Sequence, residues 1–261
     1  MLSEQLKEIF LRNKDPFIDI LGQDEAKQGI KSALLMNRHI IIVGAPGIGK
    51  TTLAKNIAKL LPDIEVIEGC SYHCTSNQPI CPSCKQSQKH KTVKLQGIKR
   101  FVRIQGSPDL TVEDLLGDID PIKALKFGPL SLEAFTPGKI FKANNGVLFF
   151  DELNRCPEKL QNALLQVLEE GKATIGSYDV DFDVNLIFIS TMNPEDTSTE
   201  KLSDVLLDRF DVIYMDYPES IDIEKKIVMM KGKKLANVND ELLNLMVYFI
   251  RLLRNDEKLE K

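Results

Sequence analysis

The stretch HIIIVGAPGIGKTTLAKNIAKLL, residues 39–61, constrains the fold more than any other part of the chain. Residues 39–44 form a short β-branched apolar run, which reads as a buried strand. Gly44 to Thr51 then matches G-x-x-x-x-G-K-[ST], and Leu53, Ile57, Leu60 and Leu61 follow at helical spacing. Strand, glycine loop and helix in this order are the setting in which a phosphate-binding loop works. Gly44, Gly47 and Gly49 lack a Cβ, so the backbone N–H groups of Gly44, Ala45, Pro46, Gly47, Ile48 and Gly49 (Pro46 excepted) can close around phosphate oxygens. The helix start at Lys50, Thr51 and Thr52 adds unpaired N–H groups and partial positive charge. Lys50 can reach the terminal phosphates, and the Thr51 hydroxyl can ligate Mg²⁺. A plain glycine turn would leave the Lys-Thr pair without a purpose.

Two further apolar runs end in polar groups. GVLFFDE, residues 146–152, carries Asp151 and Glu152 at the C-terminal edge of a strand. That edge is where α/β sheets place ligands. Asp151 is expected in the Mg²⁺ shell, and Glu152 is expected to polarise an attacking water. NLIFIST, residues 185–191, leads into Met192, Asn193 and Pro194. The Asn193 amide can orient the water beside the γ-phosphate; alternatively Asn-Pro serves only as a turn.

Four of the five cysteines lie in GCSYHCTSNQPICPSCK, residues 69–85. Cys70, Cys74, Cys81 and Cys84 give C-x3-C-x6-C-x2-C. The closing CPSC has the knuckle spacing with which two thiolates grip one tetrahedral Zn²⁺. Zinc is the preferred reading. A reversible disulfide, free thiols and an iron–sulfur cluster are the alternatives, and His73 could stand in for Cys70 or Cys74. The segment around them, about residues 64–99, has too little apolar content for a core of its own. A metal could supply the missing folding free energy, on the order of 10 kcal/mol. The segment therefore reads as a zinc knuckle projecting from the nucleotide-binding fold. Cys156, in LNRCPEKL, reads as a structural or incidental residue rather than a ligand.

Charge and hydropathy narrow the partners. The net charge of −4 argues against wrapping nucleic acid by charge alone. The basic run KHKTVKLQGIKR, residues 89–100, reads as a solvated loop. No run approaches the roughly 18 apolar residues of a membrane span. The opening MLSEQLKEIF has no apolar signal core. A cytoplasmic protein with reduced cysteines is expected.

The order of phosphate loop, FFDE and STMNP resembles Walker A, Walker B and sensor 1 of the AAA+ ATPases. LSDVLLDRF, residues 202–210, is similar to the family's arginine-finger segment, with Arg209 as the finger. FIDILGQDEAKQGI, residues 17–30, is similar to the segment over the adenine, with Ile20 and Gly22 in that role. Residues 100–120 and 135–155 resemble the MoxR and magnesium-chelatase branch, which MCM helicases share. In that branch a β-hairpin interrupts the second core helix, here at DIDPIKALKFGPLSLEAFTPG. A second hairpin precedes sensor 1, here ATIGSYDVDFDV around Gly176-Ser177.

The resemblance implies an α/β three-layer P-loop NTPase core with a parallel five-stranded sheet over residues 1–217, interrupted by the zinc-knuckle insertion. A partial helical lid over 218–261 follows, which reads as truncated, with neither Arg251 nor Arg254 in a sensor-2 motif. It also implies Mg²⁺-dependent hydrolysis of ATP in a homo-oligomeric, hexameric ring. Lys50, Glu152, Asn193 and a neighbouring subunit's Arg209 would do the catalysis. The work would be remodelling, or metal insertion into a partner protein, one with a metal-ion-dependent adhesion-type domain. An MCM-like nucleic-acid translocase is the alternative. The three acids of TIGSYDVDFDV, without Lys or Arg, argue against phosphate contact by that hairpin.

Overall fold

The computed structural model describes residues 2–13, 15–87, 90–129, 131–175, 180–193, 202, 207–232 and 238–254. In chain order its strands are β1 (His39–Val43), β2 (Ile64–Ile67), β3 (Thr92–Leu95), β4 (Phe101–Gln105), β5 (Gly117–Ile119) and β6 (Phe135–Pro137). They continue with β7 (Gly146–Asp151), β8 (Lys172–Ile175), β9 (Val180–Asp183), β10 (Leu186–Met192) and β11 (Phe210–Tyr214). The helices are α1 (Leu2–Arg12), α2 (Asp24–Leu35), α3 (Lys50–Leu60), α4 (Pro82–Gln86) and α5 (Val112–Leu116). After them come α6 (Pro121–Phe127), α7 (Lys139–Lys142), α8 (Glu158–Glu170), α9 (Ile221–Lys231) and α10 (Asp240–Arg254).

Five strands pair in parallel in the order β11-β1-β10-β7-β4. Three of them, β1, β7 and β10, are the apolar runs read from the sequence, and the total is that of the expected five-stranded sheet. Each central strand is apolar on both faces because helices cover both faces. Ile40 and Ile42 of β1, with Val147 and Phe149 of β7, join the core beneath α1, α2 and α3. Ile41 and Val43, with Leu148 and Phe150, join the opposite core beneath α5, α7 and α8. The parallel register carries the ends of β1, β7 and β10 to one edge, where the phosphate loop, Asp151 and Asn193 emerge. β4 closes the sheet on one side. Gly106, just past its end, donates its N–H to the Asp151 carbonyl at 2.6 Å, and a Cβ there would lie 2.0 Å from the Glu152 carbonyl oxygen. Only glycine permits that approach.

The second core helix is interrupted as expected. β5 and β6 pair antiparallel, α5 and α7 flank them, and α6 fills the tip. β8 and β9 form the stem of the hairpin before β10, while its turn at 176–179 lies outside the described residues. In α8, Leu160, Leu164 and Val167 are buried as their spacing predicts, Leu168 is half-buried, and Gly171 ends the helix at φ 61°.

The insertion departs from the expectation of a projecting knuckle. β2 and β3 pair as its stem, and the cysteine loop folds back onto the core of its host. Cys74, Cys81 and Cys84 are buried in the same core as Phe150, Leu164 and Phe188. Tyr72 supplies the anchor: its ring lies 5.0 Å from that of Phe141 and 5.7 Å from that of Phe182. Asn144 locks the loop from below, donating to the Tyr72 carbonyl at 3.1 Å and accepting from the Asn185 N–H at 3.0 Å. A polar segment too poor to form its own core has borrowed the core of its host.

The two lid helices are held to each other, and to the segment that leads into them, by charge. Glu224, only 7% exposed, meets Arg254 at 2.5 Å and Arg251 at 3.4 Å. Arg251 also donates to the Pro218 and Glu219 carbonyls, and Arg254 lies over the Tyr217 ring at 4.4 Å. Both arginines thus serve the packing of the lid.

Candidate functional site

At the shared strand edge is a cleft of about 360 Å³, lined by the backbone and side chains of the phosphate loop and by Asp151, Glu152, Thr191 and Asn193. Gly49, at φ 108°, turns the loop into α3 and leaves the first N–H groups of that helix aimed into the cleft. Lys50 Nζ donates to the Gly44 and Ala45 carbonyls, the second at 3.1 Å. Burial lowers the Lys50 ammonium from its ordinary range, and Asp151 and Glu152 pull it back. Its charge is thus held inside the cleft by groups that a phosphate would replace.

The acids are organised by Thr191, at the end of β10. Its hydroxyl donates to Asp151 Oδ1 at 2.6 Å and accepts from the Glu152 N–H at 3.0 Å. A hydroxyl can do both at once, so one side chain ties the Asp151 carboxylate to the backbone of Glu152. On the other side, two residues of β4 complete the arrangement. Arg103 Nη2 lies 2.5 Å from Asp151 Oδ2, and Gln105 Nε2 donates to Glu152 Oε2 at 2.8 Å. Arg155 meets the same Glu152 oxygen at 3.4 Å.

Among the expected site residues, Pro46, Gly47, Gly49, Lys50, Thr51, Thr52, Asp151, Glu152 and Asn193 come together in the cleft. Gly44 and Ala45 meet it through their carbonyls on Lys50. Ile48 packs toward the core beneath the loop. Ile20 is buried in that same core, and its Cδ1 would lie 3.9 Å from a Cβ at Gly49. Gly22, at φ 68°, lines a separate pocket of about 130 Å³ with Tyr214, Asp216, Tyr217 and Ile223. Arg209 is not at the cleft. It precedes β11 and pairs with Glu169 of α8. Residues 203–206 of its segment, and Pro194, lie outside the described residues. Thr191, Arg103 and Gln105 were not singled out from sequence. For the β4 pair the available signal was the period of two, which sets residues 103 and 105 on one face.

The donors suit Mg²⁺: a carboxylate and a hydroxyl are hard oxygen ligands, and Asp151 already draws a guanidinium. The cysteine loop presents a second donor set. The four sulfurs of Cys70, Cys74, Cys81 and Cys84 lie within 4.8 Å of one another. Cys70 and Cys81 are 3.8 Å apart, close to the edge of a tetrahedron with Zn–S bonds of about 2.3 Å. Cys74 Sγ accepts the backbone N–H groups of Ile80 and Cys81 at 3.2 and 3.4 Å, which favours a thiolate. Contact among the sulfurs drives Cys70 down and Cys74 up; Cys81 is pushed to about 12 by the same contacts and Cys84 to about 12 chiefly by burial. His73 is not a member: its Nδ1 faces the Asn144 carbonyl at 3.4 Å. Cys156 is fully buried away from the cluster.

Residues 81–212 match the model of the ATPase family associated with various cellular activities (AAA), and residues 16–99 match that of magnesium chelatase, subunit ChlI. A magnesium-chelatase subunit ChlI homolog of Methanocaldococcus jannaschii is 31% identical over 235 residues, 87% of this chain and 61% of its own length. Magnesium-chelatase subunit ChlI-2 of Arabidopsis thaliana is 33% identical over 205 residues, 75% of this chain and 47% of its own length. The chain thus spans about half to three-fifths of these relatives. Its fold is similar to that of a chain in the complex between subunits BchI and BchD of magnesium chelatase, with a TM-score of 0.64 at 22% identity over 94% of this chain and 75% of the other.

Proposed function

The chain belongs to the AAA+ ATPases, in the magnesium-chelatase ATPase-subunit branch, and from that premise we propose that it hydrolyses Mg²⁺-ATP to drive work on a partner protein. The observation that carries this reading is the single cleft uniting Lys50 and Thr51 with Asp151, Glu152 and Asn193. Lys50 and the α3 N-terminus bind the phosphates and hold their charge. Thr51 and Asp151 hold Mg²⁺, which neutralises charge on the phosphates when bound. Glu152 accepts a proton from the attacking water, and Asn193 orients that water. Ile20 and Gly22 border the adenine. Arg209 acts on the neighbouring subunit's phosphate within a homo-oligomeric, hexameric ring.

The partner is a second protein carrying a metal-ion-dependent adhesion-type domain, and the work is remodelling it or inserting metal, in the manner of MoxR and chelatase motors. The support for a partner is that the relatives named above are described as subunits or their homologs, and that the similar fold is that of a chain in a complex between subunits BchI and BchD of magnesium chelatase. No helix among the described residues is long and apolar enough to cross a membrane. We place the chain in the cytoplasm. Phosphate release by the purified chain tests the activity. It should stop when Mg²⁺ is chelated and should not change with added DNA. A rate independent of divalent metal would refute the mechanism, and a severalfold rise with DNA would favour a nucleic-acid motor.

Zinc is proposed as the resident of the four-sulfur cluster, where it would tie the β2–β3 insertion to the core through Tyr72 and Phe182. The reduced protein should carry about one zinc per chain. Replacing Cys81 and Cys84 with Ser should release it and speed hydrogen exchange across residues 64–95, while nucleotide still binds. Elemental analysis that found no zinc, iron or other transition ion in reduced protein would remove the proposal.

A further inference from the structure

Three separate segments meet in one aromatic cluster against the cysteine loop. Tyr72 comes from the loop, Phe135 and Phe141 from β6 and α7, and Phe182 from β9. The Tyr72 and Phe182 rings stack 5.7 Å apart, and each also packs on Phe141, at 5.0 and 5.5 Å. Phe135 closes the cluster, edge-on to Phe141 at 6.1 Å. All four rings are buried. β6 pairs with β5 in the hairpin that interrupts the second core helix, and β9 pairs with β8 in the hairpin before β10. The two hairpins thus share one support, and a residue of the insertion is part of it.

The backbone repeats the connection. Asn144, just past α7, donates to the Tyr72 carbonyl at 3.1 Å and accepts the N–H of Asn185, between β9 and β10, at 3.0 Å. The Asn145 N–H in turn donates to the Asn185 carbonyl at 2.6 Å. Cys70 and Cys74 stand two residues to either side of Tyr72. An ion held by all four sulfurs would fix these two to Cys81 and Cys84, and with them the turn that carries the ring. Resting on the zinc reading above, we infer that Tyr72 is a positioning residue through which occupancy of the four-sulfur site sets both hairpins. A loop closed around its ion holds the ring against Phe141 and Phe182, and β6 and β9 keep their places. A loop without the ion is free to open, and the ring withdraws from the cluster. The phosphate loop helix α3 packs on the opposite face of the sheet, so nucleotide binding lies off this route.

Hydrogen exchange in the reduced chain, loaded with zinc and then stripped by a chelator, reads the connection. Removing zinc should speed exchange across β6, α7 and β9 roughly three- to tenfold, a modest factor because each aromatic pair contributes little. Exchange in β1 should not change. Tyr72→Leu keeps all four sulfurs and should still bind about one zinc per chain. In that variant β6, α7 and β9 should exchange at the faster rate with or without zinc. Tyr72→Phe keeps the ring and should keep the zinc dependence. Tyr72→Met takes the place of Tyr72→Leu if the latter does not fold. Exchange in β6, α7 and β9 that ignores zinc in the unaltered chain, while residues 64–95 respond to it, overturns the inference and leaves the zinc site standing. A zinc response at those elements that persists in full in Tyr72→Leu overturns it as well. Failure of the unaltered chain to bind zinc overturns both.

Discussion

Glu152→Gln should hold ATP as tightly as the unaltered chain and turn it over about 10²–10⁴-fold more slowly, the range that general-base catalysis contributes. The amide matches the carboxylate in size, and the neighbours of residue 152 are arranged to keep a side chain of that shape in place. Thr191 accepts its N–H at 3.0 Å whatever the side chain. Gln105 can turn its amide and donate to, or accept from, a glutamine. Nothing on the phosphate loop is disturbed. What is lost is the basicity that takes a proton from water, so binding and turnover separate. Lys50→Ala should behave in the opposite way. Its ammonium is held inside the cleft by the Gly44 and Ala45 carbonyls and by the charges of the two acids, and its removal leaves the phosphates without their cation. Binding should then fail before turnover can be asked about. Fluorescent-nucleotide titration and single-turnover phosphate release, run on both variants, decide the matter. Full turnover in Glu152→Gln would mean that another group is the base.

The contrast between these sites shows what a sequence can carry. The phosphate loop and Asp151–Glu152 were legible because each lies in one contiguous run, where a buried strand delivers its own last residues to the sheet edge. Asn193 was legible for the same reason. Arg103 and Gln105 were not. On an edge strand, polar residues at alternate positions read as a solvent-facing surface, and only the pairing of β4 with β7 sets them against the acids. The cysteines were half legible. Their spacing pointed to one tetrahedral ion, and their sulfurs do lie within 4.8 Å of one another. Their location was misread, because the partners of Tyr72 are Phe141 and Phe182, some 70 and 110 residues further along the chain. No local pattern announces such a contact. The interrupted helix and the stem of the second hairpin came from resemblance, and the pairings of β5 with β6 and β8 with β9 bear them out.

Arg209→Ala should slow hydrolysis roughly 10³–10⁵-fold, the worth of an arginine finger in other phosphoryl-transfer enzymes, and should do so without weakening ATP binding in its own subunit. The topology carries this expectation. β11 runs parallel to β1, with Phe210 opposite His39 and Tyr214 opposite Val43. Arg209 therefore sits at the start of the strand pair, and the phosphate loop sits beyond its end. Five residues at about 3.3 Å each separate them by roughly 16 Å, more than an arginine side chain spans. Its own cleft is out of reach, so any phosphate it touches belongs to an adjacent subunit. The competing account is that Arg209 serves only its ion pair with Glu169, a partly exposed contact. Such pairs contribute about 0–1 kcal/mol to stability and nothing to rate. Glu169→Gln distinguishes the two: it breaks the pair and leaves the arginine, so a finger keeps its rate while a purely structural arginine loses whatever Arg209→Ala loses. Mixing supplies the second test. Arg209→Ala subunits have an intact phosphate loop and no finger, and Lys50→Ala subunits have the reverse. Each should be inactive alone. Together they should recover part of the activity, because some interfaces then set a working loop against a working finger. If the two variants demonstrably co-assemble and the mixture remains inactive, Arg209 does not act across the interface.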